Sequence, residues 1–475
     1  MKRKKLMAAG MAALLTFSCL AGCGGTATET ASAGGASEEA VESSAAPAQE
    51  SSADQAAEAE SSGSGEVVTI RMWGGVPPES GPQQVCDNFN ELYKDKGIQV
   101  EYERFVNDET GNLKLETNLL SGTGVDLYMS YGIDALTKRA QGEMALDLTE
   151  LMERDGFDQK AYFGDMAEAY YVDGKPYCLP TKLDQYGIVI NKTMFDEAGI
   201  EVPTEWTFEE FREIAKQLTH GEGQDKVYGI FWNTQQDISG MFNYLIAQTN
   251  GGYPMYLSET ETAFEDPVVL QAVQLVNDMM NVDGTSPTHT DSVTQKLSQE
   301  GLFLTGKCAM TIGPWMIRSI KDTENYPHDF VTAFAPYPVV EEGQRNYTQG
   351  GYGDLLSINP KSEHIEEAWE FAKWYATEGM LPMAEGGRVP SSNTYDLQAV
   401  TDAFLKGAEE IIEAESTQKV LIAPADNYAV PSITNHIAEV KKVLTEELEL
   451  IFIGEKTVEQ GMADAKTRAD EILNQ

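Results

Sequence analysis

Positive charge is scarce in this 475-residue chain: 34 lysines and arginines stand against 76 aspartates and glutamates, a formal net charge of −42. Nucleic acid and the anionic face of a bilayer are thereby disfavoured as partners, since both would be repelled. Cysteine is scarce too. Beyond the first 23 residues only Cys86, Cys178 and Cys308 remain, too far apart to form the close pairs of a zinc site. One disulfide plus one free thiol stays open outside the cytoplasm; three buried thiols are the expected state. There is no H-E-x-x-H, no G-x-S-x-G nucleophile elbow in the folded part, no P-loop and no EF-hand loop, and the five histidines are scattered. Gly122 and Gly124 lack the third glycine and the following helix of a dinucleotide fingerprint. These absences predict neither metal nor cofactor. No single pair of acids stands out for glycoside hydrolysis.

At the N-terminus, Lys2-Arg3-Lys4-Lys5 precedes an apolar run from Leu6 to Phe17 and then Leu20-Ala21-Gly22-Cys23. A basic start, a short apolar stretch and small residues before a cut make this a bacterial lipoprotein signal, residues 1–22, with Cys23 taking the lipid. The run is short of the roughly 20 residues needed to span a membrane, so the expected attachment is a tether at the extracellular face of the cell membrane. Residues 23–65 carry no aromatic side chain, no lysine and no arginine. Such a stretch of Ala, Ser, Gly and Glu buries too little to offset its ordering entropy and reads as a disordered acidic linker. The rest, from Glu66, is long enough for two or three units, and two large lobes fit best.

Within that part, Val67–Met72 reads as a strand stopped by Trp73-Gly74-Gly75, followed by a helix from Pro82 to Lys94 and strands at Ile98–Arg104 and Val125–Met129. This α/β alternation predicts a mainly parallel sheet. Ligands in such sheets bind beyond the carboxyl ends of strands, which would put Trp73 at a cleft; a Trp73 that caps the core is an equal alternative. Thr207 and Glu210 form a capping-box pattern ahead of an amphipathic helix, and Thr457 with Gln460 does so for the last helix. Val227–Trp232 reads as a strand leading into the polar Asn233, Gln235 and Gln236. A helix is expected to open at Ser362, with Trp369 and Trp374 as packing residues. Aromatic rings beside hydrogen-bonding groups recur at element ends: Trp73, Tyr131, Tyr186, Trp232, Trp315, Tyr352 and Tyr428. A pyranose suits them, having an apolar C–H face for a ring and a fringe of hydroxyls for amides and carboxylates.

The most telling stretch is DGKPYCLPTKLDQYGIVINKTMFDEAGIEVPTEWTFEEF, Asp173 to Phe211. Lys182, Asp184, Gln185 and Tyr186 interrupt the apolar pattern between extended pieces at Tyr177–Pro180 and Gly187–Ile190. Together with Gly142–Thr149, Phe303–Trp315, Thr348–Gly353 and Gly386–Pro390, this stretch resembles the maltose-binding-like class of extracellular solute-binding proteins that feed ABC importers. One departure is Thr204-Glu205-Trp206, a residue longer than the usual ending. The resemblance implies an α/β, two-lobed periplasmic-binding-protein-like fold with multiple lobe crossings, type II of the larger sugar-binding class. Lobe 1 would comprise residues 66–182 and about 350–400, lobe 2 about 187–347 and 405–475. It further implies that Asp184 and Trp315 lead the ligand site, joined by Trp73, Tyr131, Asp134, Tyr186, Trp232, Gly351, Tyr352, Arg388 and Tyr428. The expected partners are a sugar ligand and the transmembrane subunits of an ABC permease, with the membrane met only through the lipid, no nucleic acid, and a monomeric chain. The function implied is capture of a carbohydrate, an oligosaccharide, by hinge closure without catalysis. Competing readings are a surface-anchored glycan hydrolase and a binding protein for a non-sugar solute such as a polyamine.

Overall fold

The computed structural model describes residues 67–235, 255–313, 316–344, 348–423, 427–428 and 436–475, together with Ile238, Phe242, Leu245 and Ile246. Cys23 and Trp315 lie outside the described residues, and Tyr428 is described by its backbone alone. The strands are β1 (Val68–Gly74), β2 (Ile98–Arg104), β3 (Leu127–Ser130), β4 (Leu179–Gln185), β5 (Ile188–Asn191), β6 (Tyr256–Ser258), β7 (Glu261–Thr262), β8 (Met310–Ile312), β9 (Thr332–Ala335), β10 (Thr348–Ile358), β11 (Val389–Pro390) and β12 (Asn427–Tyr428).

The first sheet runs β11-β4-β10-β3-β1-β2, with β12 also on β10. β1 pairs in parallel with β2 and β3. The helix Pro82–Tyr93 links β1 and β2 and buries Val85, Cys86 and Phe89. Proline as its first residue brings a preset φ, and its missing N–H would have had no helical partner there. The helix Glu109–Ser121 begins at Asp108, whose carboxylate accepts from Gly111 N at 2.7 Å, and ends on Gly122, so that glycine is a helix cap. The sheet departs from the mainly parallel expectation. β10 is antiparallel to both β3 and β4, because it enters from a segment far down the chain instead of through a βαβ crossover. The first core lies against this sheet and includes Trp369 and, at its edge, Trp374. Trp369 Nε1 donates to Asp155 Oδ2 at 2.9 Å, a packing role for that ring.

A second, three-stranded sheet, β8-β5-β9, is antiparallel throughout. Against it pack the helices Phe208–Leu218, Pro267–Asn281, Ile437–Phe452 and Val458–Leu473. Thr207 with Glu210, and Thr457 with Gln460, both form the expected reciprocal capping box. The strand expected at Val227–Trp232 does not form. Only isolated bridges occur, Val227 antiparallel to His220, and Tyr228 to Cys308 and Phe231 to Thr311 in parallel. At Gly229 the backbone comes so close to Ala215 that a Cβ would lie 2.0 Å from its carbonyl oxygen, and the ladder is interrupted between the two parallel bridges. The helix expected at Ser362 starts at Ile365 instead, since the Ser362 hydroxyl donates to Asp126 Oδ1 and accepts from His364 N.

A third cluster joins Val189, Phe231, Phe303, Met316, Ile317 and Ile320 to Val389 of β11 and to Val400 and Phe404 of the helix Leu397–Leu405. It is the apolar floor where segments of the two sheets meet. Cys86, Cys178 and Cys308 are buried and unpaired, and burial pushes the thiols of Cys86 and Cys178 up to about 12.

Candidate functional site

β4 is flanked by β10 and β11, with Asp184 opposite Gly351, and Leu183 opposite both Tyr352 and Val389. Lys182, Asp184 and Gln185 therefore belong to the strand, and only Tyr186 and Gly187 separate it from β5. Lys182 and Asp184, two residues apart on a strand, share a face and form an ion pair. The pair needs a glycine beneath it: a Cβ at Gly353 would sit 2.4 Å from Asp184 Oδ2. Above this edge opens a cavity of about 230 Å³, lined by Lys182, Asp184 and Tyr186, by Arg388, and by Ile317 and Arg318 of the helix Met316–Lys321.

Arg388 is anchored by a residue the sequence did not single out. Its Nε donates to Asp354 Oδ2 at 2.7 Å. Burial opposes the guanidinium charge, but Asp354 outweighs it and holds the Arg388 pKa above the ordinary value. Asp354 is 4% exposed and adopts φ +47° within β10, the left-handed region, which costs a non-glycine residue about 1–2 kcal/mol. Its carbonyl accepts from Thr181 Oγ1 at 2.6 Å, which helps to hold it there. Three tyrosines surround the pair. Tyr131 OH accepts from Gly75 N, Tyr102 OH donates to Val76 O at 2.7 Å, and the Tyr375 hydroxyl is buried with no partner among the described residues. Burial, then the charge of Asp354, pushes the hydroxyls of Tyr131 and Tyr375 above the ordinary range.

The structure thus brings Asp184, Tyr186 and Arg388 around one cavity, sets Gly351 and Tyr352 on the adjoining strand, and places Tyr131 by the Asp354–Arg388 pair. The other sequence candidates lie elsewhere. Trp73 is in the first core, with Lys114 Nζ 4.7 Å from its ring centroid. Trp232 is fully enclosed in the second core, edge-on to Phe211. Tyr352 is also a core residue; its hydroxyl donates to Phe163 O. Asp134 is exposed in the first turn of the helix Ile133–Gln141. β12 pairs the backbone of Tyr428 with Gln349.

Sequence reading missed Asp354, Tyr102, Tyr375 and Arg318. For Asp354 there was a usable signal, an acid directly after Gly-Tyr-Gly and before the apolar Leu355-Leu356, where a strand interior has no place for an unpaired charge. Nothing local marked Arg318, which lies on an amphipathic helix like any solvated arginine.

The sequence profile of the bacterial extracellular solute-binding proteins matches residues 75–382. The chain belongs to this family. The sn-glycerol-3-phosphate-binding periplasmic protein of Yersinia enterocolitica is 22% identical to this solute-binding protein over 433 residues, 86% of this chain and 93% of the relative. Among solved structures, a sugar transporter of Rhizobium etli in an open conformation aligns with a TM-score of 0.71 at 20% identity, covering 85% of this chain and all of that one. The sugar-binding protein MalE of Xanthomonas citri aligns with a TM-score of 0.66 at 18% identity, over 86% and 98% of the two chains. These structures share the two-lobed α/β fold of the solute-binding protein. Among its described residues no helix is long and apolar enough to cross a membrane.

Proposed function

We propose that this solute-binding protein captures a carbohydrate between its lobes and delivers it, unchanged, to the transmembrane subunits of an ABC permease. The observation that carries the reading is the cavity at the β4 edge, where a ring, Tyr186, stands beside Asp184 and two guanidiniums on segments of both sheets. A sugar touching both sides favours the closed arrangement by its differential affinity for it. The lobes are taken as residues 66–182 with about 350–400, and about 187–347 with 405–475; Trp315 is assigned to the ligand site from its sequence context. The chain acts as a monomer held at the extracellular face of the membrane by lipid on Cys23, with residues 23–65 as the tether.

Absence of catalysis is supported by the state of the acid that lines the cavity and of the buried one behind Arg388. Asp184 is tied to Lys182 and Asp354 to Arg388, so neither is a free general acid or base. A polyamine fits poorly beside Arg388 and Arg318.

A thermal-shift screen against a carbohydrate panel tests the reading. A ligand at 100 times its dissociation constant adds about 2.7 kcal/mol of stability. At least one sugar is expected to raise the melting temperature and to be recovered intact, with the shift abolished in Trp315→Ala. No shift from any sugar, or release of cleavage products, would overturn it.

A further inference from the structure

Arg318 is the charge at this cavity that the rest of the protein leaves unanswered. Lys182 is neutralised by Asp184 and Arg388 by Asp354. Arg318 is exposed and has no carboxylate within ion-pair distance among the described residues, in a chain with more than twice as many acids as bases. Four acids, Glu79, Asp87, Asp322 and Glu385, line an adjoining cavity with Arg318. Asp87 Oδ1 accepts from Gln83 Nε2 at 2.9 Å. Asp322, one turn along, accepts from Asn325 N and Nδ2. Glu385, which lines an adjoining cavity with Arg318, pairs with Lys406 at 2.6 Å.

We propose that the carbohydrate taken by this protein bears an oxyanion, a carboxylate or a phosphate, seated between Arg318 of the helix Met316–Lys321 and Arg388 beside β11. This inference rests on the carbohydrate reading above and narrows its substrate class.

The two guanidiniums line the same 230 Å³ cavity, Arg318 from the helix Met316–Lys321 and Arg388 from the segment before β11. Besides burial, the charge of Arg388 is what most disfavours the charged form of Arg318, and Asp354 offsets it only in part. Asp354 compensates Arg388 only in part, so a residual like-charge repulsion remains between the two arginines. A neutral sugar leaves that repulsion in place, whereas an oxyanion turns it into attraction from both walls. The planar five-donor guanidinium suits the paired oxygens of a carboxylate or phosphate, and the cavity offers two such groups. An anionic ligand gains from Arg318 in full and from Arg388 in part, and a neutral one gains from neither charge. Asp184 and Tyr186 line the same cavity, a carboxylate able to accept from sugar hydroxyls and a ring able to pack on the apolar sugar face.

The test is a binding titration of the purified protein, followed by intrinsic tryptophan fluorescence and by melting temperature. Its arms are neutral oligosaccharides, the same sugars carrying a uronic carboxylate, sugar phosphates, and inorganic phosphate alone. A uronate or a sugar phosphate is expected to bind about tenfold or more tightly than its neutral parent, and which of the two gains identifies the oxyanion. Arg318→Gln should reduce that preference to near parity, and Arg318→Lys should keep part of it, since charge remains while the fork is lost. A neutral sugar that binds as tightly as its acidic forms overturns the inference and leaves the carbohydrate reading standing. So does an anion preference that survives unchanged in Arg318→Gln. Binding of inorganic phosphate without any sugar sinks the carbohydrate reading itself and this inference with it.

Discussion

On the sheet side of the cavity each charge is matched: Lys182 by Asp184 on the same strand, Arg388 by Asp354 of β10, the strand beyond β4. On the helix side, Arg318 has no such partner among the described residues, and Lys321 donates to the carbonyls of Glu385 and Phe404 at 2.9 Å each. The sheet wall can be assembled without ligand and keeps its geometry; the helix wall presents an exposed charge that only water answers until an anion arrives. A wall already satisfied positions a ligand, and a wall left unsatisfied selects one.

The sharpest way to break this contrast is to unbalance the satisfied side. Asp354→Asn keeps the shape of the side chain and tolerates the left-handed backbone, but it leaves Arg388 buried beside an amide. Removing one partner of a buried pair costs about 3–5 kcal/mol, and a fall of that size is expected in urea unfolding. Combining it with Arg388→Met should recover much of the loss. A cost below about 1 kcal/mol for the single variant would falsify the view of this wall as a tightly coupled pair.

A smaller effect is expected where the two walls touch. Gly387 has φ +80°, and a Cβ there would meet Ile317 Cγ2 at 2.4 Å. Gly387→Ala should lose about 1–2 kcal/mol from the backbone alone, with the methyl also pressing on the helix that carries Arg318. Adding Ile317→Ala relieves the clash and not the backbone strain, so a double-mutant cycle should show a non-zero coupling. Strict additivity would mean that the two walls are not in contact in solution.

Away from the cavity, the second core supplies a control. His289 is 8% exposed, with Nδ1 2.8 Å from Thr234 Oγ1, and burial depresses its pKa below the ordinary value near 6.5. A depressed folded pKa means that the unfolded chain binds the proton more readily, so this contribution is complete above about pH 6.5 and is lost as pH falls toward the folded pKa. Melting temperatures between pH 7 and 5 should fall less in His289→Gln than in the parent. Equal slopes would remove His289 from the account.

What could be read from the sequence follows the range of the interactions involved. Both capping boxes and the strand Ile98–Arg104 were legible because their signals lie within a few residues. Asp184 was legible through the segment around it. The reading of Lys182 to Tyr186 as an interruption was too local: β10 and β11 pair with both edges of that stretch, and backbone hydrogen bonds hold polar residues in a strand whatever their hydropathy. Trp73 and Trp232 looked like site residues because a ring beside polar groups has the same sequence pattern whether it faces a cleft or closes a core. The Asp354–Arg388 pair spans only 34 residues, but it depends on a positive φ and on β4 lying between β10 and β11, and neither is written in the neighbouring residues.

The smallest expected effect is also the most discriminating for the contrast between the walls. If Arg318 supports no part of the fold, Arg318→Gln should leave the stability of the unliganded protein within about 0.5 kcal/mol of the parent, as for a surface change that breaks no named interaction. Asp354→Asn and Arg318→Gln both alter the charge at one cavity, and the expected costs differ by a factor of several because one charge is compensated within the fold and the other is not. A loss of more than about 1.5 kcal/mol in Arg318→Gln would reveal an internal partner for this arginine. The helix wall would then be as self-sufficient as the sheet wall, and its charge would no longer point to a ligand.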